Sequence, residues 1–237
     1  MRQLEDKERL EGYLRQFELE KVFPPELRKH LTLYRFEPDE ALCRQGEEPQ
    51  QVFLIVHGKV RIYTTSAEGR TLLVNFTTPL GLIGEIEYLQ EGENLNTVTA
   101  VTPVEAIGIH KQRLRPFNGE VPLLQFLLDQ VSRKFYTKSI ALSSHLLHPV
   151  EVRFASYLLS VSSDEEAGAA DRISLTDMKD IAGLIGTSYR HLNRVIQGFA
   201  ASGLVERRHG TLIVKDRTGL TAMAGGNIYE REGREGS

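Results

Sequence analysis

The chain has 237 residues, 41% of them apolar and 26% charged, with a formal net charge of −3. That suits one or two soluble domains with a real core, and no apolar run approaches the ~18–20 residues of a membrane helix. A single cysteine, Cys43, excludes an internal disulfide framework and an iron–sulfur cluster held by this chain's thiolates alone. With a charged, signal-free Met1–Glu20 stretch it fits a reducing cytoplasm.

In chain order, Leu4, Leu10, Leu14 and Phe17 recur at roughly helical spacing and predict a helix over residues 3–20. Pro24-Pro25 breaks it, and a short helix over 26–31 follows. From Leu33 to Ile109 alternation takes over, with strands expected at 52–56, 60–63, 72–76, 98–101 and 106–109. Turn signals separate them at Gly46, His57-Gly58, Glu68-Gly69, Gly81 and Gly92. Short strands with regular punctuation read as a β sandwich or barrel. A brief helix over 111–117 precedes the longest helical pattern, Leu123 to His148. Within it Leu124, Leu128, Val131, Phe135, Lys138 and Leu142 form a heptad seam. Such a seam suits a partner helix, for instance the same helix of a second copy; the alternative is packing on the chain's own β domain. Lys138 is a polar defect in it, tolerable near a splay point or a ligand.

Pro149 can open the next helix, over 150–161. A loop is expected over 162–171. The next stretch carries the most information. Asp177 is a good N-cap, with Asp180 three residues later in the manner of a capping box. Met178, Ile181, Ala182 and Ile185 make a short amphipathic helix, and Gly186 sits where the chain needs a positive φ. Ser188 caps a second helix whose buried face is Leu192, Val195, Ile196 and Phe199. This is the pattern of a DNA-binding helix-turn-helix, its second helix offered to the major groove.

Opposite the apolar stripe stand Tyr189, Arg190, Asn193, Arg194 and Gln197. Arg can bond a guanine edge bidentately, and Asn or Gln can pair with adenine. Thr187 and Ser188 are placed for phosphate contacts at the helix N-terminus. Residues 203–214 read as a hairpin turning at His209-Gly210, a wing that would lay Arg207 and Arg208 along the DNA backbone. Charge follows the same division. Between Arg172 and Arg217 eight basic residues face four acidic ones, a balance of +4, whereas the first 171 residues carry −6. A basic module on an acidic body is the asymmetry of a regulator that touches DNA with one end.

The order of parts now has a counterpart. Asp39 to Glu47, Val52 to Val60, Gly84-Glu85-Ile86 and Ile181 to Leu204, taken together, resemble the cyclic-AMP receptor protein/FNR superfamily of bacterial transcription regulators. Gly84 to Glu87 and Ser188 to Leu192 look most like its YeiL-type members. The resemblance covers roughly residues 20–217. It implies an α+β fold in which a β-roll (jelly-roll) sensor domain precedes a long dimerisation helix and a winged helix-turn-helix. The expected segments are N-terminal helices at 1–31, the β-roll at 32–118, the dimerisation helix at 119–148, the DNA-binding domain at 149–220 and a flexible tail at 221–237. It further implies a cytoplasmic homodimer that binds an inverted repeat of double-stranded DNA and works with RNA polymerase.

Departures from the family are informative. Members that bind cyclic AMP hold its phosphate with an Arg-Ser pair about ten residues after the Gly-Glu motif. Here Leu95 and Asn96 stand at those positions, and a phosphate without its bidentate Arg loses its best partner. Glu85, which in the family bonds the ribose, remains. The weak effector pocket is therefore Glu85, Leu95, Asn96, Lys134 and Lys138, with Leu95 a candidate plug, cyclic AMP an unsuitable ligand and no cofactor identifiable. The family commonly places Glu where this chain has Arg190, so the operator should differ from the usual consensus.

Cys43 has three readings: a small buried hydrophobe in a strand, a redox-sensitive thiol, or an intersubunit disulfide partner. His57, His145, His148 and His191 have no metal-ligand spacing to a carboxylate or cysteine. An enzyme is not expected, because no catalytic triad order, phosphate-binding glycine loop or metal-ligand spacing is present. The competing reading is a ligand-binding sensor or interaction module whose helix-turn-helix serves packing alone.

Overall fold

Asp6 decides where the first helix begins. Its carboxylate accepts the backbone N–H of Arg9 at 2.9 Å and caps α1 (Lys7–Gln16). The residues before it, expected in that helix, are instead a strand. β1 (Arg2–Leu4) pairs antiparallel with β2 (Thr32–Phe36), Leu4 opposite Leu33. The short second helix is α2 (Pro25–Arg28), with proline at its first position.

The computed structural model describes residues 1–162, 172–174, 178–225 and 227–229. The chain divides into two compact units, Met1–Ile62 with Thr77–Tyr136, and Tyr63–Phe76 with Thr137–Ser237.

Most of the first unit is β-roll. Its strands continue with β3 (Ala41–Cys43), β4 (Gln51–His57), β5 (Val60–Thr65), β6 (Thr71–Thr77), β7 (Leu82–Ile83), β8 (Thr97–Ala100) and β9 (Val104–His110). They form two sheets, ordered β1-β2-β9-β4-β7 and β3-β8-β5-β6. Each of the five predicted strands overlaps one of these. Val52 to Val56 are all buried, as befits a strand hydrogen-bonded on both sides. α3 (Glu85–Gln90) and α4 (Lys111–Leu114) precede the long helix α5 (Val121–Leu147).

The core of this unit joins the N-terminal helices, the β-roll and the start of α5. Leu14, Leu27, Leu33, Leu54, Ile107, Leu123 and Leu127 belong to one buried cluster. On α5 the inward face is thus Leu123 and Leu127, one position away from the predicted seam. Leu124 (43% exposed), Leu128 (67%), Phe135 (74%) and Leu142 (63%) point outward, and Val131 is half-buried. Of the two readings of that stripe, packing on the chain's own β domain does not hold for these four residues.

The second unit contains α6 (Val150–Val161), β10 (Arg172–Ser174), α7 (Met178–Leu184), α8 (Tyr189–Ala201), β11 (Val205–Arg208), β12 (Thr211–Val214) and α9 (Arg217–Ala224). Pro149 precedes α6 as expected. The wing is a three-stranded sheet, β10-β12-β11, with β10 unforeseen. The predicted loop at 163–171 and the Asp177 cap lie outside the described residues. Two features depart from the predicted segments. Residues 63–76, the end of β5, its turn and nearly all of β6, are grouped with the C-terminal unit although they lie within the predicted sensor segment. In the tail expected to be flexible from 221, helix α9 continues to Ala224, and Ala224 and Tyr229 are buried while Thr221 to Met223 are exposed. Local composition hid this, because the burial of Tyr229 depends on partners far away in sequence. Among the described residues no helix is long and apolar enough to cross a membrane.

Candidate functional site

Two regions gather the predicted site residues. In the C-terminal unit, α7 ends in a Schellman turn: Thr187 N–H donates to Ala182 O at 2.8 Å and Gly186 N–H to Gly183 O at 2.9 Å. Gly186 takes φ +69°, the left-handed conformation its position demands. Two residues later Ser188 caps α8, its Oγ accepting the His191 N–H at 3.2 Å. Leu192, Val195, Ile196 and Phe199 face inward, with the Phe199 ring 5.6 Å from that of Phe154 on α6. That fixes the opposite face. Tyr189, Arg190 and Arg194 are exposed and Asn193 is half-exposed, on one side of an otherwise anchored helix.

The wing closes on the same face. Arg207 Nη2 donates to Asn193 Oδ1 at 2.5 Å, and Arg208 is exposed. Thr187 is half-buried, its Oγ1 3.4 Å from His191 Nδ1. Ser188 spends its hydroxyl oxygen on the cap but remains exposed. The structure therefore brings together Thr187, Ser188, Tyr189, Arg190, Asn193 and Arg194 at the start of α8 with Arg207 of the wing, while Arg208 is the next residue on β11 and is exposed. The same bond orients the Asn193 side-chain amide, its Oδ1 turned toward Arg207.

One residue that holds this geometry escaped the sequence reading. Arg153, on the buried side of α6, donates from Nε to Ile185 O at 2.9 Å, from Nη2 to Gly186 O at 3.2 Å and from Nη1 to His148 O at 2.9 Å. It satisfies carbonyls at the end of α7 and in the turn that no helical N–H can reach. Its signal was an arginine flanked by the apolar residues of a buried helix, which demands acceptors.

The second region is the β-roll pocket. Gly84 takes φ +90°, and a Cβ there would lie 2.9 Å from Gln51 O. This tight turn starts α3 and tucks Glu85 wholly inside, at 0% exposure. Lys134 of α5 reaches in, its Nζ 2.6 Å from Glu85 Oε1. Leu95, expected as the plug, is 55% exposed, so it plugs nothing; the group that enters is the Lys134 ammonium. The backbone N–H of Leu95 donates to Glu87 Oε1 at 3.1 Å. Asn96 is half-buried beside Cys43, whose Sγ lies 3.9 Å from Asn96 O. Lys138 is half-buried and falls in the C-terminal unit.

Burial pushes the Cys43 thiol up to about 12, with the Glu87 carboxylate adding to the effect. Cys43 is half-buried rather than fully buried, and of the three readings the small, protonated thiol is the one this environment favours. Among the described residues no group of three or more His, Cys, Asp or Glu side chains is arranged to hold a metal ion.

Comparison with known proteins agrees with both regions. Residues 33–117 match the family model of the cyclic nucleotide-binding domain, and residues 152–223 match the Crp-like helix-turn-helix domain. The regulatory protein YeiL of Escherichia coli O157:H7 is 25% identical over 193 residues, 81% of this chain and 85% of that protein. The CRP-like cAMP-activated global transcriptional regulator of Mycobacterium tuberculosis is 24% identical over 202 residues, covering 84% and 90%. Among solved structures, a transcriptional regulator of the Crp/Fnr family from Eubacterium rectale superposes with a TM-score of 0.75 at 16% identity. It covers 91% of this chain and all of that one. The c-di-GMP responsive global regulator CLP of Xanthomonas campestris gives 0.65 at 20% identity, covering 86% and 99%. With a cyclic nucleotide-binding β-roll, a long helix and a Crp-like helix-turn-helix in that order, the chain belongs to the cyclic-AMP receptor protein/FNR family of transcription regulators.

Proposed function

We propose that this regulator works as a homodimer that reads an inverted-repeat operator with α8 and does not take cyclic AMP in its β-roll. The observation that carries the reading is the α8 face. Tyr189, Arg190 and Arg194 stand exposed and Asn193 half-exposed on a helix held from behind by its apolar stripe, with Arg207 of the wing bonded to Asn193. Rigid presentation of donors to base edges and of cations to phosphates is what major-groove readout requires. The exposed Leu124, Leu128, Phe135 and Leu142 support α5 as the dimer seam, since a monomer seldom leaves so much apolar surface along one helix.

Against cyclic AMP stand Leu95 and Asn96 in place of an Arg-Ser pair, and a Glu85 already engaged by Lys134. Thr187 and Ser188 are the proposed phosphate contacts of the helix start. RNA polymerase is the proposed further partner.

The test is selection of bound sequences from a random duplex library with the purified protein and no added ligand. An enriched inverted repeat is expected, and Arg190→Ala and Arg194→Ala should each weaken it by about 1–3 kcal/mol while relaxing preference at one base pair per half-site. Unchanged affinity and preference in both variants would refute the assignment of readers. Enrichment that depends on added cyclic AMP would refute the pocket reading.

A further inference from the structure

Two serines on α6 are buried. Ser156 and Ser160 are 0% and 1% exposed, on the same side of an apolar helix. Both are met by residues from beyond α9. Asn227 Nδ2 donates to Ser160 Oγ at 2.8 Å, and the Ile228 N–H approaches Ser156 Oγ at 3.5 Å. Asn227 Oδ1 in turn accepts the Tyr229 N–H at 3.0 Å, folding the segment on itself. The Tyr229 ring is fully buried, and its carbonyl accepts the backbone N–H of Phe76 at 3.1 Å.

Phe76 lies on β6, the edge strand of its sheet. The Phe76 ring sits 6.1 Å from Tyr157 on α6. At the start of the same strand, Thr71 approaches α7 closely enough that a Cβ on Gly183 would lie 3.0 Å from Thr71 Oγ1. Residues 227–229 fall outside the matched Crp-like helix-turn-helix domain, which ends at 223.

We propose that Asn227–Tyr229 is a clasp. It ties the β5–β6 hairpin to α6, so that a hairpin belonging by sequence to the nucleotide-binding domain moves with the DNA-binding module. Its regulatory part rests on the proposed DNA-binding function: hairpin displacement is passed to the helix-turn-helix through the clasp. Tyr229 contributes bulk and the edge-strand acceptor, and Asn227 contributes the polar lock on Ser160.

Hydrogen exchange of the full-length protein tests the clasp without DNA. In Tyr229→Ala, in Asn227→Ala and in a chain ending at Gly225, amides of residues 71–77 should exchange at least tenfold faster than in the parent. The hairpin tip at 66–70, which the clasp does not touch, serves as an internal reference. Equal protection of the Phe76 amide in all three would overturn the clasp; Asn227→Ala keeps the test open if the larger changes impair folding. Operator binding tests the coupling. Affinity for the full inverted repeat should fall about tenfold or more while affinity for an isolated half-site stays within twofold. An equal loss on both duplexes, or none on either, would overturn the coupling role. Absence of any specific operator for the parent would instead count against the DNA-binding reading and leave the exchange result to decide the clasp.

Discussion

Removing Lys134 should cost the β-roll more than removing the carboxylate it meets. Glu85 is fully buried and the Lys134 side chain is 15% exposed, with 2.6 Å between Nζ and Oε1. Two unit charges at that separation attract by about 6 kcal/mol at an effective dielectric of about 20. Most of that is offset by the desolvation of both ions, so the intact pair contributes little net stability. Breaking it is another matter. In Lys134→Met the Glu85 charge is left buried without compensation, and a loss of about 3–5 kcal/mol is expected. In Glu85→Gln the lysine can extend toward water, and about 1–2 kcal/mol should suffice. The double variant Glu85→Gln/Lys134→Met removes both charges and should return to within about 1 kcal/mol of the parent. Urea unfolding at neutral pH reads all four corners of this cycle, which predicts a coupling of at least about 2 kcal/mol. Additive losses, with coupling below about 0.5 kcal/mol, would show that the two groups do not act as a pair.

Three further outcomes are expected. Cys43 should resist iodoacetamide at pH 7.5, reacting about a thousandfold or more slower than an exposed thiol, because burial holds it protonated up to about 12. Rapid labelling of the folded protein would refute that. The same shift makes stability fall as pH rises above the ordinary thiol value of 9, since only the unfolded chain then releases the proton, with the loss complete near 12. Arg153→Met should destabilise the helix-turn-helix by about 2–4 kcal/mol through three orphaned carbonyls, with Arg153→Lys recovering at most one of those bonds. A thermal midpoint unmoved in Arg153→Met would show that those contacts do not hold the turn. Ser188→Ala should cost about 1 kcal/mol through the lost cap. Unchanged stability and unchanged operator affinity together would mean that the cap does not organise the start of α8.

The helix-turn-helix was readable in advance because every signal there is local. Ser188, Gly186 and the Leu192–Phe199 stripe act within a few residues of where they sit, and the structure keeps each in its expected role. The β-roll was readable as a class but not in its edges. β1 carries too little alternation to announce a strand, and β3 and β7 are two- or three-residue pieces defined by their neighbours. The pocket reading put Glu85 and Lys134 together but misread Leu95, because nothing near it in sequence says that the side chain will turn to solvent. Arg153 and Tyr229 failed for the same reason. Ile185 lies 32 residues from Arg153, and Phe76 is more distant still from Tyr229, so composition near either end gave no sign of the contact.

On the proposed dimer, the outward row of Leu124, Leu128, Phe135 and Leu142 on α5 has a consequence for how this regulator answers its own abundance. When two chains must meet to cover such a row, the assembled species rises with the square of the free chain while most of it is single. Occupancy of a two-half-site operator then climbs more steeply than a single chain binding alone could achieve. A twofold rise in expression would give up to a fourfold rise in the competent species in that regime. Dilution would do the reverse, switching the gene's response off before the protein itself is gone.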